Sequence, residues 1–371
     1  MSEGSSARWF TMMNRRRFCQ SLGAFSVLPL LPAFGMPARW SLPAEESKHA
    51  ATWMSWPTAL SIYEDRAYME SVQEQLAQFA AAIAQYEPVF MAAPLKEFAQ
   101  VSELCGPDVQ LVDIPSNDMW MRDTGPVFVT GRGGVLAAVN LNFNGWGDKQ
   151  QPRAADEQMA ARVAEHLGVD QITTQLVGEG GGMECDGDGT LILTESCWLN
   201  DNRNAGVSKS DMTAELKRVF GVEKVIWVPG VRGQDITDGH IDGSIRFVRP
   251  GLIMTGGYPD DDSDWGLALM EAREILSRET DARGRHFETV DIPSATNPAN
   301  DSEYLFTSYA NFYVANGAVF TPVFGDKRAD TVALERLGAL FPKRDVVPLS
   351  VDLIYENGGG IHCVTQQQPA V

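Results

Sequence analysis

The chain has 371 residues, 44% of them hydrophobic and 21% charged, with a formal net charge of −19. That is ordinary for a soluble globular enzyme of one large or two medium domains, and no linker forces two. So acidic a surface serves solubility, repels nucleic acid and anionic membranes, and draws in small cations.

The first 38 residues differ from the rest. Asn14-Arg15-Arg16-Arg17-Phe18 precedes an apolar stretch from Leu22 to Phe34, and Gly35-Met36-Pro37-Ala38 follows. A charged segment, a short apolar segment and small residues near a cleavage point read as an export signal. The Arg-Arg-x-Phe run resembles the twin-arginine type. The apolar stretch is too short and too Pro-rich to span a bilayer. The expectation is a periplasmic or secreted protein, with no membrane partner in its mature form and residues 39–371 as a single catalytic domain. A structureless N-terminal arm is the competing reading.

Past the signal, the spacing of Met69, Val72, Leu76, Phe79 and Ile83 predicts an amphipathic helix over 66–86. Short strands are expected at 88–93, 109–114 and 127–129, then a helix at 154–167. A strand at 190–194 follows the Asp186-Gly187-Asp188-Gly189 turn. The alternation continues with helix 208–220 and strands 224–228, 244–248 and 252–255. Helix 265–278, strands 287–292, 312–315 and 318–321, helix 327–340 and strand 345–349 complete it. This is mixed α/β with four or five similar passes and no residue-level repeat.

Of the five cysteines, Cys19 lies in the signal; Cys105, Cys185, Cys197 and Cys363 remain, without a disulfide framework in their spacing. Cys363 is read as a free thiol and the other three as buried. Cys363 follows Gly358-Gly359-Gly360, which lets the backbone turn tightly beside a ligand. A thiol with a distant histidine is a candidate nucleophile and base. Asp238-Gly239-His240-Ile241-Asp242 supplies imidazole and carboxylate two residues apart, on one face if the segment is a strand. Trp120-Met121-Arg122-Asp123 adds a second carboxylate beside an indole, in a loop. Two carboxylates suit a planar guanidinium, whose paired N–H donors each can accept. A bound guanidinium would also favour the thiolate. Glu179, before Gly180-Gly181-Gly182, is placed to orient His240. The alternatives are plain: a core thiol, an Arg122–Asp123 ion pair, a turn glutamate. A metal at His240 and Asp242 lacks further ligands at familiar spacing. The Asp186 turn lacks the glutamate that closes a calcium loop, and the glycine runs match no phosphate loop.

With these segments together the chain resembles the agmatine deiminase family, within the guanidino-modifying superfamily that includes arginine and peptidylarginine deiminases. The resemblance runs from Trp53 to Ala370. It rests on Trp53-Met54-Ser55-Trp56-Pro57, Trp120 through Pro126, Asn142-Phe143-Asn144-Gly145-Trp146-Gly147 and Glu179-Gly180-Gly181. Thr237 through Asp242, Asn311-Phe312-Tyr313 and Gly358 through Pro369 complete it. It implies a pentein-like, pseudo-symmetric α/β propeller of five blades with the site in a central channel. It implies that Cys363 attacks the guanidinium carbon while Asp123 and Asp242 hold its nitrogens. His240 then protonates the departing ammonia and activates water, and Glu179 orients His240. Substrate binding falls to Trp120, Asp123, Asp242, Asn311 and Gly360, with no metal and no organic cofactor. The implied reaction is agmatine plus water to N-carbamoylputrescine and ammonia, a step of putrescine biosynthesis. One position departs: relatives that take agmatine commonly carry an acid where this chain has Ile236, in Asp235-Ile236-Thr237. Asp260, Asp261, Asp262 or Asp264 would be substitutes. An exported arginine or peptidylarginine deiminase, and a periplasmic guanidine-binding protein without chemistry, are the competing functions. The expected partner is a small cationic guanidine substrate, and a homo-oligomer is compatible with the same reading.

Overall fold

Five small sheets repeat one local pattern. The computed structural model describes residues 40–63, 65–257, 262–302 and 304–371. The expected export signal, and Asp260 and Asp261, lie outside the described residues. In the first sheet Val127–Gly131 pairs antiparallel with Val135–Asn140, and helix Met159–Leu167 leads to the parallel strand Asp170–Thr173. The second pairs Met183–Cys185 with Thr190–Thr194, then crosses through helix Lys209–Phe220 to the parallel Lys224–Val228. The third runs Ile245–Arg249, Leu252–Gly256, helix Asp264–Arg278, Glu288–Ile292. The fourth runs Tyr313–Ala315, Ala318–Pro322, helix Lys327–Leu340, Asp345–Leu349. The fifth joins both ends of the domain. Gln366–Pro369 lies antiparallel to His49–Ser55, and helix Arg66–Ala84 carries the chain to the parallel Val89–Ala93 and on to Val109–Asp113.

Local chemistry sets these boundaries. Side chains of Asp65, Ser208, Ser263 and Asp326 each accept a backbone N–H from the first turn of the helix they precede. Gly168 and Gly221 end two helices in the left-handed region that glycine enters without steric cost. The first long helix buries Met69, Val72, Leu76, Phe79 and Ile83. Phe79 meets Phe320 of the fourth sheet edge-on, with ring centroids 5.6 Å apart. Burying a ring of that size contributes about 1.5–3 kcal/mol. Middle strands such as Thr190–Thr194 are buried along their whole length, as strands covered on both faces must be.

The mixed α/β alternation is as expected, and most helices and strands fall within two residues of expectation. Helix 154–167 is shorter: residues Asp156–Gln158 make a 3-10 turn before the helix starts at Met159. There the buried Asp156 carboxylate accepts the Asn117 N–H at 2.7 Å instead of capping the helix. Strands at His49–Ser55, Val135–Asn140, Asp170–Thr173, Met183–Cys185 and Gln366–Pro369 were not anticipated. Gln366–Pro369 has no apolar alternation to announce it. Its side chains hold it instead, Gln368 accepting from Trp53 Nε1 at 2.9 Å and Gln367 from Arg122 Nη1 at 2.7 Å. Among the described residues no helix is long and apolar enough to cross a membrane.

Candidate active site

The loop entering the first strand of each antiparallel pair delivers one part of the site. Asp123 precedes Val127–Gly131, Glu179 precedes Met183–Cys185, and His240 and Asp242 precede Ile245–Arg249. Asn311 precedes Tyr313–Ala315, and Cys363 precedes Gln366–Pro369. Asp123 lies on a single helical turn, Met121–Thr124, rather than in an open loop. Arg122 fastens that turn to the cysteine segment. Its N–H donates to the Cys363 carbonyl at 3.0 Å, its Nε to His362 O at 3.3 Å. The local Arg122–Asp123 ion pair considered as an alternative does not form; Arg122 faces Glu45 at 3.6 Å.

The His240 segment is not a strand. Asp238 and Gly239 take φ of +62° and +87°, and Ile241–Gly243 is a 3-10 turn. Few residues besides glycine sit at positive φ, and aspartate is among those that enter it most readily. Here Lys149 Nζ at 2.8 Å, Arg203 Nη1 at 2.8 Å and the Gly233 N–H at 2.9 Å hold its carboxylate. The turn, rather than strand alternation, brings imidazole and carboxylate to one cavity. Gly181 shows how tightly they meet: a Cβ there would lie 2.6 Å from His240 Nδ1, 2.9 Å from Asp123 and 3.2 Å from Asp242.

The cavity, of about 650 Å³, is lined at its floor by Trp120, Asp123, His240, Asp242 and Cys363. Glu179, Asn311 and Gly360 stand behind that lining. Asp123 accepts from Gly181 N and from Trp146 Nε1, both at 3.0 Å, and its Oδ2 is 3.7 Å from His240 Nδ1. Burial pushes its carboxyl up to about 6, against the pull of His240. Asp242 accepts from His362 Nδ1 at 2.7 Å. Burial alone would raise its carboxyl, but His362 outweighs that and holds it at about 2. Burial would likewise lower His240, yet Asp123, Cys197 and Glu179 raise it well above the ordinary imidazole range. The imidazole is therefore a cation at neutral pH, with both ring nitrogens donors.

Cys363 has Asn311 Nδ2 donating to its sulfur at 3.3 Å, and its thiol points to Asp242 Oδ2 at 3.5 Å. Those, not His240, are its hydrogen-bond partners. Burial, then Asp242 and Asp123, push the thiol well above its usual range. Without a substrate cation between it and the carboxylates the sulfur is protonated. Asn311 Oδ1 also accepts the His362 N–H at 3.0 Å. Gly360 lets the segment pass, since a Cβ there would lie 2.3 Å from Asn311 Oδ1.

Several contributors lacked a sequence signal. Arg203 donates to both oxygens of Glu179, at 2.8 and 3.1 Å, and Cys197 Sγ to one of them at 3.2 Å. That carboxylate reaches His240 Nε2 at 3.4 Å. His362, adjacent to the thiol in sequence, bridges Asp242 and Glu45 at 2.7 Å each. Its place beside Cys363 was the only available clue. Glu179, Cys197 and His240 bring three ligand atoms within 4.8 Å of one another. Arg203 already neutralises the glutamate, and burial pushes Cys197 up to about 11, so its thiol is a donor rather than a ligand. The donor set suits an oriented imidazole better than a metal ion. Cys105, Cys185, Cys197 and Cys363 are free thiols, and only Cys185 is less than buried.

Known proteins resemble the chain along its length. The pattern of the Porphyromonas-type peptidyl-arginine deiminase family matches residues 41–369. An agmatine deiminase of Stutzerimonas stutzeri is 37% identical, over 89% of this chain and 95% of that protein. An agmatine deiminase of Medicago truncatula is 35% identical, over 92% and 98%. The solved structure of Enterococcus faecalis agmatine deiminase superimposes with a TM-score of 0.83 at 28% identity, covering 90% of this chain and 96% of that one.

Proposed function

Because the chain belongs to the Porphyromonas-type peptidyl-arginine deiminase family, we propose that it hydrolyses the guanidinium group of agmatine to N-carbamoylputrescine and ammonia. One observation carries this reading: a thiol, an imidazolium and two carboxylates border a single cavity. Asp123 and Asp242 pair with the guanidinium nitrogens, and Trp120 packs along the slot. The arriving cation reverses the electrostatics that keep Cys363 protonated, so the thiol releases its proton to solvent and the thiolate forms a C–S bond to the CN₃ carbon, whose C–N π electrons move onto nitrogen. His240, held charged by Asp123 and Glu179, gives its proton to the departing nitrogen as the C–N bond breaks. The neutral imidazole then takes a proton from water, which adds to the amidino-thioether carbon. Breaking the C–S bond returns its electron pair to sulfur as thiolate, the added hydroxyl gives its proton to that sulfur, and a urea remains. Glu179, oriented by Arg203, keeps the ring facing the cavity. The five sheets with a site loop apiece support a pseudo-symmetric five-bladed propeller around this cavity as part of the same reading.

Ammonia release from agmatine, free arginine and an N-blocked arginine peptide tests the assignment. Agmatine is expected to give the highest kcat/KM. A blocked peptide turned over faster would make the chain a peptidylarginine deiminase, and release from none would remove the hydrolase reading.

A pH effect follows from Asp123. Its carboxyl titrates at about 6 in the free enzyme, and only the ionised form accepts two N–H donors. The kcat/KM for agmatine should therefore fall more steeply as pH drops through about 6 than it does above it, reporting the free enzyme. A profile flat down to pH 4.5 would separate Asp123 from binding.

A further inference from the structure

The geometry points to a second subsite in the outer half of the cavity, built for an apolar, uncharged substituent on the guanidine, with Ile236 as its specificity-determining residue. This rests on guanidine hydrolysis at Cys363. The cavity changes character from floor to mouth. The more exposed part of its lining is Ile236, Trp265, Tyr304, Leu305 and Phe306, with uncharged polar side chains such as Gln234 and Asn357 alongside them. Phe306 joins the two halves. Its ring lies 2.7 Å from where a Cβ on Gly243, next to Asp242, would sit, and it stacks on Tyr355 at 6.2 Å and 18°. Ile236 and Tyr304 keep 37% and 72% of their surface exposed. A substrate tail lying against them removes that apolar surface from water.

An ammonium at the end of such a tail gains no comparable contact. Among the described residues, the lining carries four carboxylates, Asp118, Asp123, Asp235 and Asp242. Asp123 and Asp242 are committed to the guanidinium. Asp235 accepts the Gly239 N–H at 3.0 Å and the Thr237 hydroxyl at 2.6 Å, one on each oxygen. Asp118, 2% exposed, accepts the Tyr63 hydroxyl at 2.6 Å and the Met119 N–H at 2.8 Å. A charged group brought against an apolar wall without a partner loses hydration and is disfavoured. Agmatine is thus held by its guanidinium, while its amine meets no free carboxylate among the described residues that line the mouth.

The test compares agmatine with butylguanidine, the same molecule without the amine, and with 4-phenylbutylguanidine. The full chain and its Ile236→Glu variant are assayed by ammonia release. Butylguanidine is expected to match or exceed agmatine in kcat/KM, and the phenyl compound to exceed both by roughly tenfold, as an added apolar contact allows. In Ile236→Glu the agmatine-to-butylguanidine ratio should rise by roughly tenfold or more, because the new carboxylate can pair with the amine. Butylguanidine falling below agmatine in the unaltered chain, or a ratio that Ile236→Glu leaves unmoved, overturns the apolar subsite. Either result leaves Cys363 hydrolysis standing. Hydrolysis of no guanidine at all is the separate outcome that removes the underlying reading.

Discussion

Cys363→Ala is expected to lower ammonia release by about 10⁴-fold or more, with guanidinium binding retained. The magnitude follows from the role. A nucleophile that forms the intermediate cannot be replaced by better binding, and what remains is the pull of the carboxylates on a bound cation. Folding should survive. The sulfur is a small buried atom whose partners are Asn311 Nδ2 and Asp242, and Asn311 also accepts the His362 N–H. Agmatine binding measured by calorimetry should stay within a few-fold of the unaltered chain, or tighten, since two like-charged carboxylates at the floor still need a counter-cation. A guanidine-binding protein without chemistry makes the opposite demand on turnover. If kcat in Cys363→Ala stays within tenfold, the sulfur is not the nucleophile.

His240→Ala is expected to lower kcat by about 10²–10⁴-fold, the range for loss of one positioned proton donor and acceptor. The effect has a signature that a packing defect lacks. His240 is the cation that pulls the Asp123 carboxyl down, against burial and the charges of Glu179 and Asp242. Without it Asp123 holds its proton to higher pH, so the acid limb of the residual kcat/KM should move upward from about 6. A fall in kcat with that limb unmoved would make His240 a structural residue. An unchanged kcat would take it out of the reaction.

Much of the site was legible in the sequence because its residue types are chemically unusual together. A cysteine after three glycines, a histidine two residues from an aspartate, and a tryptophan near another aspartate all reach one cavity. Their local conformations were less legible. Strand alternation was the one route the sequence offered for putting His240 and Asp242 on one face, and the segment is instead a turn in which Lys149, Arg203 and Gly233 hold Asp238 at positive φ. None of those partners is near it in a way that composition reveals. Arg203, which fixes Glu179, sits in a short polar helix, Asp201–Asn204, with no apolar period. His362 was visible as a neighbour of Cys363, but only tertiary contact places its ring between Asp242 and Glu45. The helices Arg66–Ala84, Lys209–Phe220, Asp264–Arg278 and Lys327–Leu340 were the easiest part, since each has a capping side chain and a buried stripe. The strand Gln366–Pro369, held by side-chain hydrogen bonds from Trp53 and Arg122, was the hardest.

The most direct measurement is mass spectrometry of enzyme quenched in acid during turnover of agmatine. The peptide containing Cys363 should gain the mass of agmatine less ammonia, and the adduct should disappear once substrate is exhausted. Steady ammonia release with that peptide unmodified at every quench time would contradict covalent attack by Cys363.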